Sequence, residues 1–187
     1  MAVPVGPAND NLIFVAEKTA LEPLAAHLQP AEMAFLRQSA AKGVCSFFFP
    51  QADRAVFVHL LEPASDPTLR LEQARLSGNN LLRDMQHYKA DSAVVQSFAG
   101  DEITLAFLEG LMLGNYQFAR YLSAPEKKSA SLKSLCWAHD NVPEKAVAEL
   151  NAVAHAVFLA RDLVNEPHSH FDTLKLAEAA REAGRTF

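Results

Sequence analysis

The chain has 187 residues, with 17 Lys and Arg against 22 Asp and Glu for a net charge of −5, half of its residues apolar and 21% charged. This is the composition of a soluble globular protein, long enough for a radius of gyration of about 16 Å and for burial of roughly 70% of the unfolded surface, and it argues against a strongly basic nucleic-acid module. No apolar stretch approaches the roughly 20 residues of a membrane helix, and Met1–Asp10 has no basic segment ahead of an apolar run, as a secretory signal would.

The elements alternate. Asn11-Leu-Ile-Phe-Val-Ala16 reads as a first strand, and Pro30 to Ala41 as a short helix carrying Met33, Phe35, Leu36 and Ala40, closed by Gly43. Val44-Cys-Ser-Phe-Phe-Phe49 and Ala55-Val-Phe-Val-His-Leu-Leu61 flank a turn at Pro50–Asp53, which predicts a hairpin. Asp66 is placed to cap a helix bearing Leu69, Leu71, Ala74, Leu76, Leu81, Leu82 and Met85, with Gly78-Asn79-Asn80 as its expected weak point. Ser92–Phe98 is the next strand. Asp101 is the expected N-cap of a helix from Glu102 to Tyr121, apolar around most of its circumference and hence sandwiched between neighbours. Gly110 and Gly114, four apart on one face of it, predict a close approach of neighbouring backbone. A polar hinge, Ser123–Ser131, leads to a strand at Leu132–Ala138. From Pro143 a long helix with the stripe Ala146, Leu150, Val153, Val157, Ala160 and Val164 must stop near Asn165, ahead of Pro167. Another helical pattern, with Leu174, Leu176, Ala177, Ala179 and Ala180, follows Asp172. The alternation predicts an α/β sheet with helices on both faces.

The chemistry-bearing residues are sparse. The seven glycines are scattered and form no phosphate-binding loop, and no Gly-x-Ser-x-Gly elbow or Cys-x-x-Cys pair occurs. Cys45 and Cys136 lie in apolar stretches and are expected to be buried thiols in a reducing compartment, which points to the cytoplasm. His168-Ser-His170 with Glu166 and Asp172 has ligand-like spacing for zinc or manganese, although a solvated turn after Pro167 is the simpler expectation. His139 and Asp140 stand where a strand end could line a crevice, with helix capping by Asp140 and Asn141 the simpler reading. Glu126-Lys-Lys128 reads as a solvated charge run. No catalytic, cofactor-binding or metal-ligating residue is assigned.

Two segments, Phe107-Leu-Glu-Gly-Leu-Met-Leu-Gly-Asn-Tyr-Gln-Phe118 and Ala160-Arg-Asp-Leu-Val-Asn-Glu-Pro167, resemble signatures of the leucyl (cytosol) aminopeptidase family of two-metal peptidases. The first is similar to the glycine-bearing helix late in that family's N-terminal domain. The second is similar to the end of the helix leading into the catalytic domain, and Leu174-Lys-Leu-Ala-Glu-Ala-Ala180 to the first helix beyond. His168-Ser-His-Phe-Asp172 departs from the Asn followed by Thr-Pro or Tyr-Pro common there.

The resemblance implies a macro-domain-like three-layer α/β/α sandwich with a mixed, mostly parallel sheet over residues 1–141, and a linker helix with the truncated start of a catalytic domain over 142–187. Family members remove N-terminal residues from peptides with two divalent ions, zinc, manganese or magnesium, which polarise the scissile carbonyl and activate a bridging water. Their ligands include an Asn-Thr-Asp-Ala-Glu-Gly-Arg segment that does not occur in this chain, so none of them maps here. The expected function is that of a non-catalytic N-terminal domain acting in assembly and active-site access, partnered by its own catalytic domain in a hexamer, with DNA binding known for some bacterial members. The alternatives are a stand-alone module for an ADP-ribose-type ligand and an oligomerisation or regulatory partner. Apolar surface is expected to be exposed near the C-terminus, with self-association or disorder as the consequence.

Overall fold

A computed structural model describes residues 10–52, 54–123, 132–138 and 143–186. Its centre is a short run that needs burial on both sides: in strand β1, Asn11–Glu17, the residues Ile13, Phe14, Val15 and Ala16 are all at most 1% exposed. Continuous apolar runs of this kind belong to parallel strands covered by helices on each face, and β1 lies at the middle of the sheet. Helix α1 (Pro30–Ala40) follows, then strands β2 (Ser46–Pro50) and β3 (Ala55–Leu61), helix α2 (Pro67–His87), strand β4 (Ser92–Ser97), helix α3 (Asp101–Gly114), strand β5 (Ser134–Trp137), helix α4 (Glu144–Asn165) and helix α5 (Thr173–Thr186). The sheet order is β2-β3-β1-β4-β5. Only β2 runs antiparallel, in the expected hairpin with β3, and its Pro50 is tolerated because β2 is an edge strand.

Alternation along the strands sorts the core into two layers. Phe14, Val56, Val58, Phe47 and Phe49 pack with Leu24, Met33 and Leu36 of the α1 side. Ile13, Val15, Phe57 and Val95 pack with Leu81, Met85, Phe107 and Leu111 of α2 and α3. The architecture is a three-layer α/β/α sandwich with a mixed, mostly parallel sheet. A one-turn 3-10 helix at Glu22–Ala26, which the sequence reading did not identify, places Leu24 in the first of these layers.

The helices keep to their expected positions with four differences. Helix α2 runs unbroken through Gly78-Asn79-Asn80: Gly78 is a packing site, where an added Cβ would lie 2.1 Å from the Phe107 carbonyl oxygen. The reciprocal contact is at Gly110, whose Cβ would meet the Arg75 carbonyl oxygen at 1.9 Å, so the close backbone approach expected there is present. Gly114 instead faces the Asn79 side chain. Helix α3 begins one residue earlier than expected, with Gly100 at the N-cap and Asp101 in the first turn, where its carboxylate favours the positive end of the helix. It ends at Gly114, well short of Tyr121, because the Asn115 side chain turns to the backbone of Leu132, donating to its carbonyl at 2.7 Å and accepting from its N–H at 2.9 Å.

The fourth difference concerns α4. The residues that meet the core are Val147, Leu150 and Ala154, and Phe158 sits against Tyr116 with ring centroids 5.4 Å apart. That face is rotated by about one residue from the expected stripe, and it leaves Val153 and Val164 at 48% and 85% exposure. Residues 124–131 and 139–142, including Glu126-Lys-Lys128 and the His139, Asp140 and Asn141 group, lie outside the described residues.

Candidate functional site

The second resemblance motif, Ala160 to Pro167, closes α4, and the structure gives its polar residues partners. Arg161 donates to the Leu113 carbonyl at 2.6 Å and stands 5.4 Å from the centre of the Tyr116 ring. The Tyr116 hydroxyl donates to Asp162 at 2.8 Å and accepts from the Asn165 amide at 3.2 Å. Desolvation in this nook, with the neighbouring Asp162 carboxylate adding to it, holds the Tyr116 phenol above its ordinary pKa. Glu166, its side chain only 5% exposed, is clasped by Arg120 and by the Tyr121 hydroxyl, the latter at 2.5 Å. The helix end is thereby tied to the chain that leaves α3.

His170 does not join Glu166 as a ligand. Its ring stacks on Tyr121 at 5.6 Å between centroids, and Asp172 accepts from the Lys175 N–H at 2.9 Å as the cap of α5. His168 is exposed. Among the described residues no three His, Cys, Asp or Glu side chains are gathered as a metal site, so the donor set that two divalent ions require is not assembled by these residues. The motif's chemistry here is mechanical: it fixes the turn from α4 into α5. A cleft of about 770 Å³ lies in that turn, between Tyr121, Leu163, Glu166, His170 and Lys175. Beside it Leu174 and Leu176 are 73% and 50% exposed, as the exposed apolar surface expected near the C-terminus requires.

The cysteines differ from expectation. Both are half-buried, because Cys45 precedes the first paired residue of β2 and Cys136 lies in an edge strand. Cys45 donates to Glu62 Oε1 at 3.2 Å, and Lys18 Nζ donates to the same oxygen at 2.5 Å. Desolvation, then the Glu62 carboxylate, pushes the Cys45 thiol up, which favours its protonated form. Sequence reasoning passed over His59, which is 6% exposed, paired with Ser46 at 2.9 Å across the hairpin and held at a pKa of about 4 by burial. A histidine in a strongly apolar strand was the available signal.

No protein-family model matches the chain. Over 135 residues it is 30% identical to a probable cytosol aminopeptidase of Aquifex aeolicus, a match covering 70% of this chain and 27% of that relative. Among solved structures, a mutant of tomato leucine aminopeptidase superposes with a TM-score of 0.75 at 20% identity, covering 100% of this chain and 41% of that one. The chain is similar to the N-terminal part of leucyl (cytosol) aminopeptidases. The bottromycin maturation enzyme BotP in complex with Mn superposes with a TM-score of 0.68 at 26% identity, covering 96% of this chain and 37% of BotP. The chain spans about a quarter of the length of this curated relative and about two fifths of the solved chains, consistent with the N-terminal domain of the aminopeptidase family. No helix among its described residues is long and apolar enough to cross a membrane.

Proposed function

We propose that the chain is the non-catalytic N-terminal domain of a leucyl-aminopeptidase-like metallo-exopeptidase, acting in assembly and in access to the active site. The parent reaction removes N-terminal residues from peptides in the cytoplasm, with two divalent ions, zinc, manganese or magnesium, bound by residues of the catalytic domain. The three-layer sandwich is macro-like in this reading, and residues 142–187 form the linker helix and the start of the catalytic domain.

The observation that carries this is the junction at the end of α4. The clasp at Glu166 fixes the direction in which α5 leaves, while Val164, Leu174 and Leu176 stand exposed beside it. Exposed apolar side chains on both sides of this turn call for a cover, and the domain's own catalytic partner, within a hexamer, supplies it. An assay of the chain with manganese and a leucine chromogenic substrate tests the assignment. Turnover no greater than buffer is expected, and metal-dependent hydrolysis by the chain alone would place catalytic machinery within it and overturn the reading.

A further inference from the structure

The cleft at the C-terminal end of β3 plays no part in the reading above. It measures about 320 Å³ and lies between β3 with its exit at Glu62 and one face of α2. Arg70, Gln73, Ser77 and Asn80, spaced three, four and three apart, put hydrogen-bond donors along the helix wall. Leu61, on the α2 side of β3, and Leu76 supply apolar surface. Crevices outside the carboxyl ends of strands are where α/β sheets receive ligands.

Several polar groups here have capacity left over. Arg70 gives Nη2 to Glu17, its Nε is closed off from solvent, and its Nη1 has no hydrogen bond to another described residue. Lys18 and Cys45 both bond Glu62 through Oε1, leaving Oε2 without a hydrogen bond to another described residue. The Asn80 carbonyl oxygen takes the Arg83 guanidinium, so its amide N–H groups remain to donate. The Arg70 side chain is 40% exposed, and an incoming carboxylate is the group that takes up its remaining donor capacity. The charges around the cleft cancel, Glu17 with Arg70 and Glu62 with Lys18, so a simple anion or cation gains no net attraction. A molecule carrying both charges does.

We propose that this cleft binds a small zwitterion, a free α-amino acid, with its carboxylate on the α2 donors beginning at Arg70, its ammonium on Glu62 and its side chain against Leu61 and Leu76. The site is independent of the parentage proposed above: turnover by the chain alone would overturn that parentage and leave this site standing.

Isothermal titration calorimetry on the whole chain with L-leucine, N-acetyl-L-leucine and L-leucinamide tests it. Leucine is expected to bind saturably, and each blocked analogue, lacking one charge, at least about tenfold more weakly. Glu62→Gln is expected to weaken leucine by about tenfold, and Ser77→Leu, which fills the cleft from the helix side without touching an ion pair, to abolish binding while circular dichroism stays that of the parent. No saturable heat with leucine at millimolar concentration overturns the site. So does equal binding of either blocked analogue, or unaltered leucine affinity in a folded Ser77→Leu or Glu62→Gln variant.

Discussion

His59 places a titrating group on the α2 and α3 side of the sheet, near Phe107, with its ring centroid 5.9 Å from that of the phenyl ring. Burial lowers its pKa from the usual 6.5 to about 4, so the folded chain holds it neutral while the unfolded chain takes up a proton below about pH 6.5. The stability it contributes is therefore complete above about pH 6.5 and is lost as the pH falls toward 4, by up to about 3 kcal/mol. Urea titrations at pH 7 and pH 4.5 check this: the fall in unfolding free energy is expected to be smaller in His59→Asn than in the parent by about that amount. Glu166 gives a second residue-scale expectation. Its removal in Glu166→Ala strips partners from Arg120 and Tyr121 at once, which should cost about 1–3 kcal/mol in denaturant unfolding. Unchanged stability would mean that the clasp does not hold the turn.

At the scale of elements, the contact between α2 and α3 depends on two glycines that take each other's helix backbone at van der Waals distance. An alanine at Gly110 would put its methyl 1.9 Å from the Arg75 carbonyl oxygen, and backbone cannot yield as a side chain can. Gly110→Ala should therefore cost about 3 kcal/mol or more, outweighing the roughly 1 kcal/mol gained in helix propensity. At Gly114 the obstacle is the end of the Asn79 side chain and the Leu82 Cδ2 atom, so Gly114→Ala is expected to change stability by less than about 1 kcal/mol. Thermal unfolding of the two variants side by side separates them. The glycine spacing was readable in α3, but the partner was not. Gly78 looked like a weak point because propensity counts only its own helix, whereas its role is set by Phe107, nearly thirty residues on.

The whole molecule divides into a well-covered sandwich and two helices that are not. Helix α4 has Ala154 as its one buried residue among those described, and α5 has none. With Leu174 and Leu176 exposed, the chain by itself should associate with increasing concentration, read by sedimentation velocity, and Leu174→Ser with Leu176→Ser should reduce that association. A monomer at all concentrations for the parent chain would remove the case for a covered face.

The strands, the hairpin, the start of α4 at Pro143 and the two resemblance motifs were all legible in the sequence, because each is written in neighbouring residues: apolar runs, a two-fold or 3.6-fold period, a proline. What only the tertiary structure decided are pairings between distant elements. The end of α3 depends on Asn115 reaching Leu132, and the buried face of α4 on which of two adjacent apolar stripes meets the core. The place of His170 depends on Tyr121, and the shape of the β3 cleft on where Cys45, Lys18 and Arg70 come together around Glu62 and Glu17. Local periodicity specifies an element and its amphipathic character, but a side chain's partner is chosen by packing, where several apolar or polar faces compete and only the assembled fold selects among them.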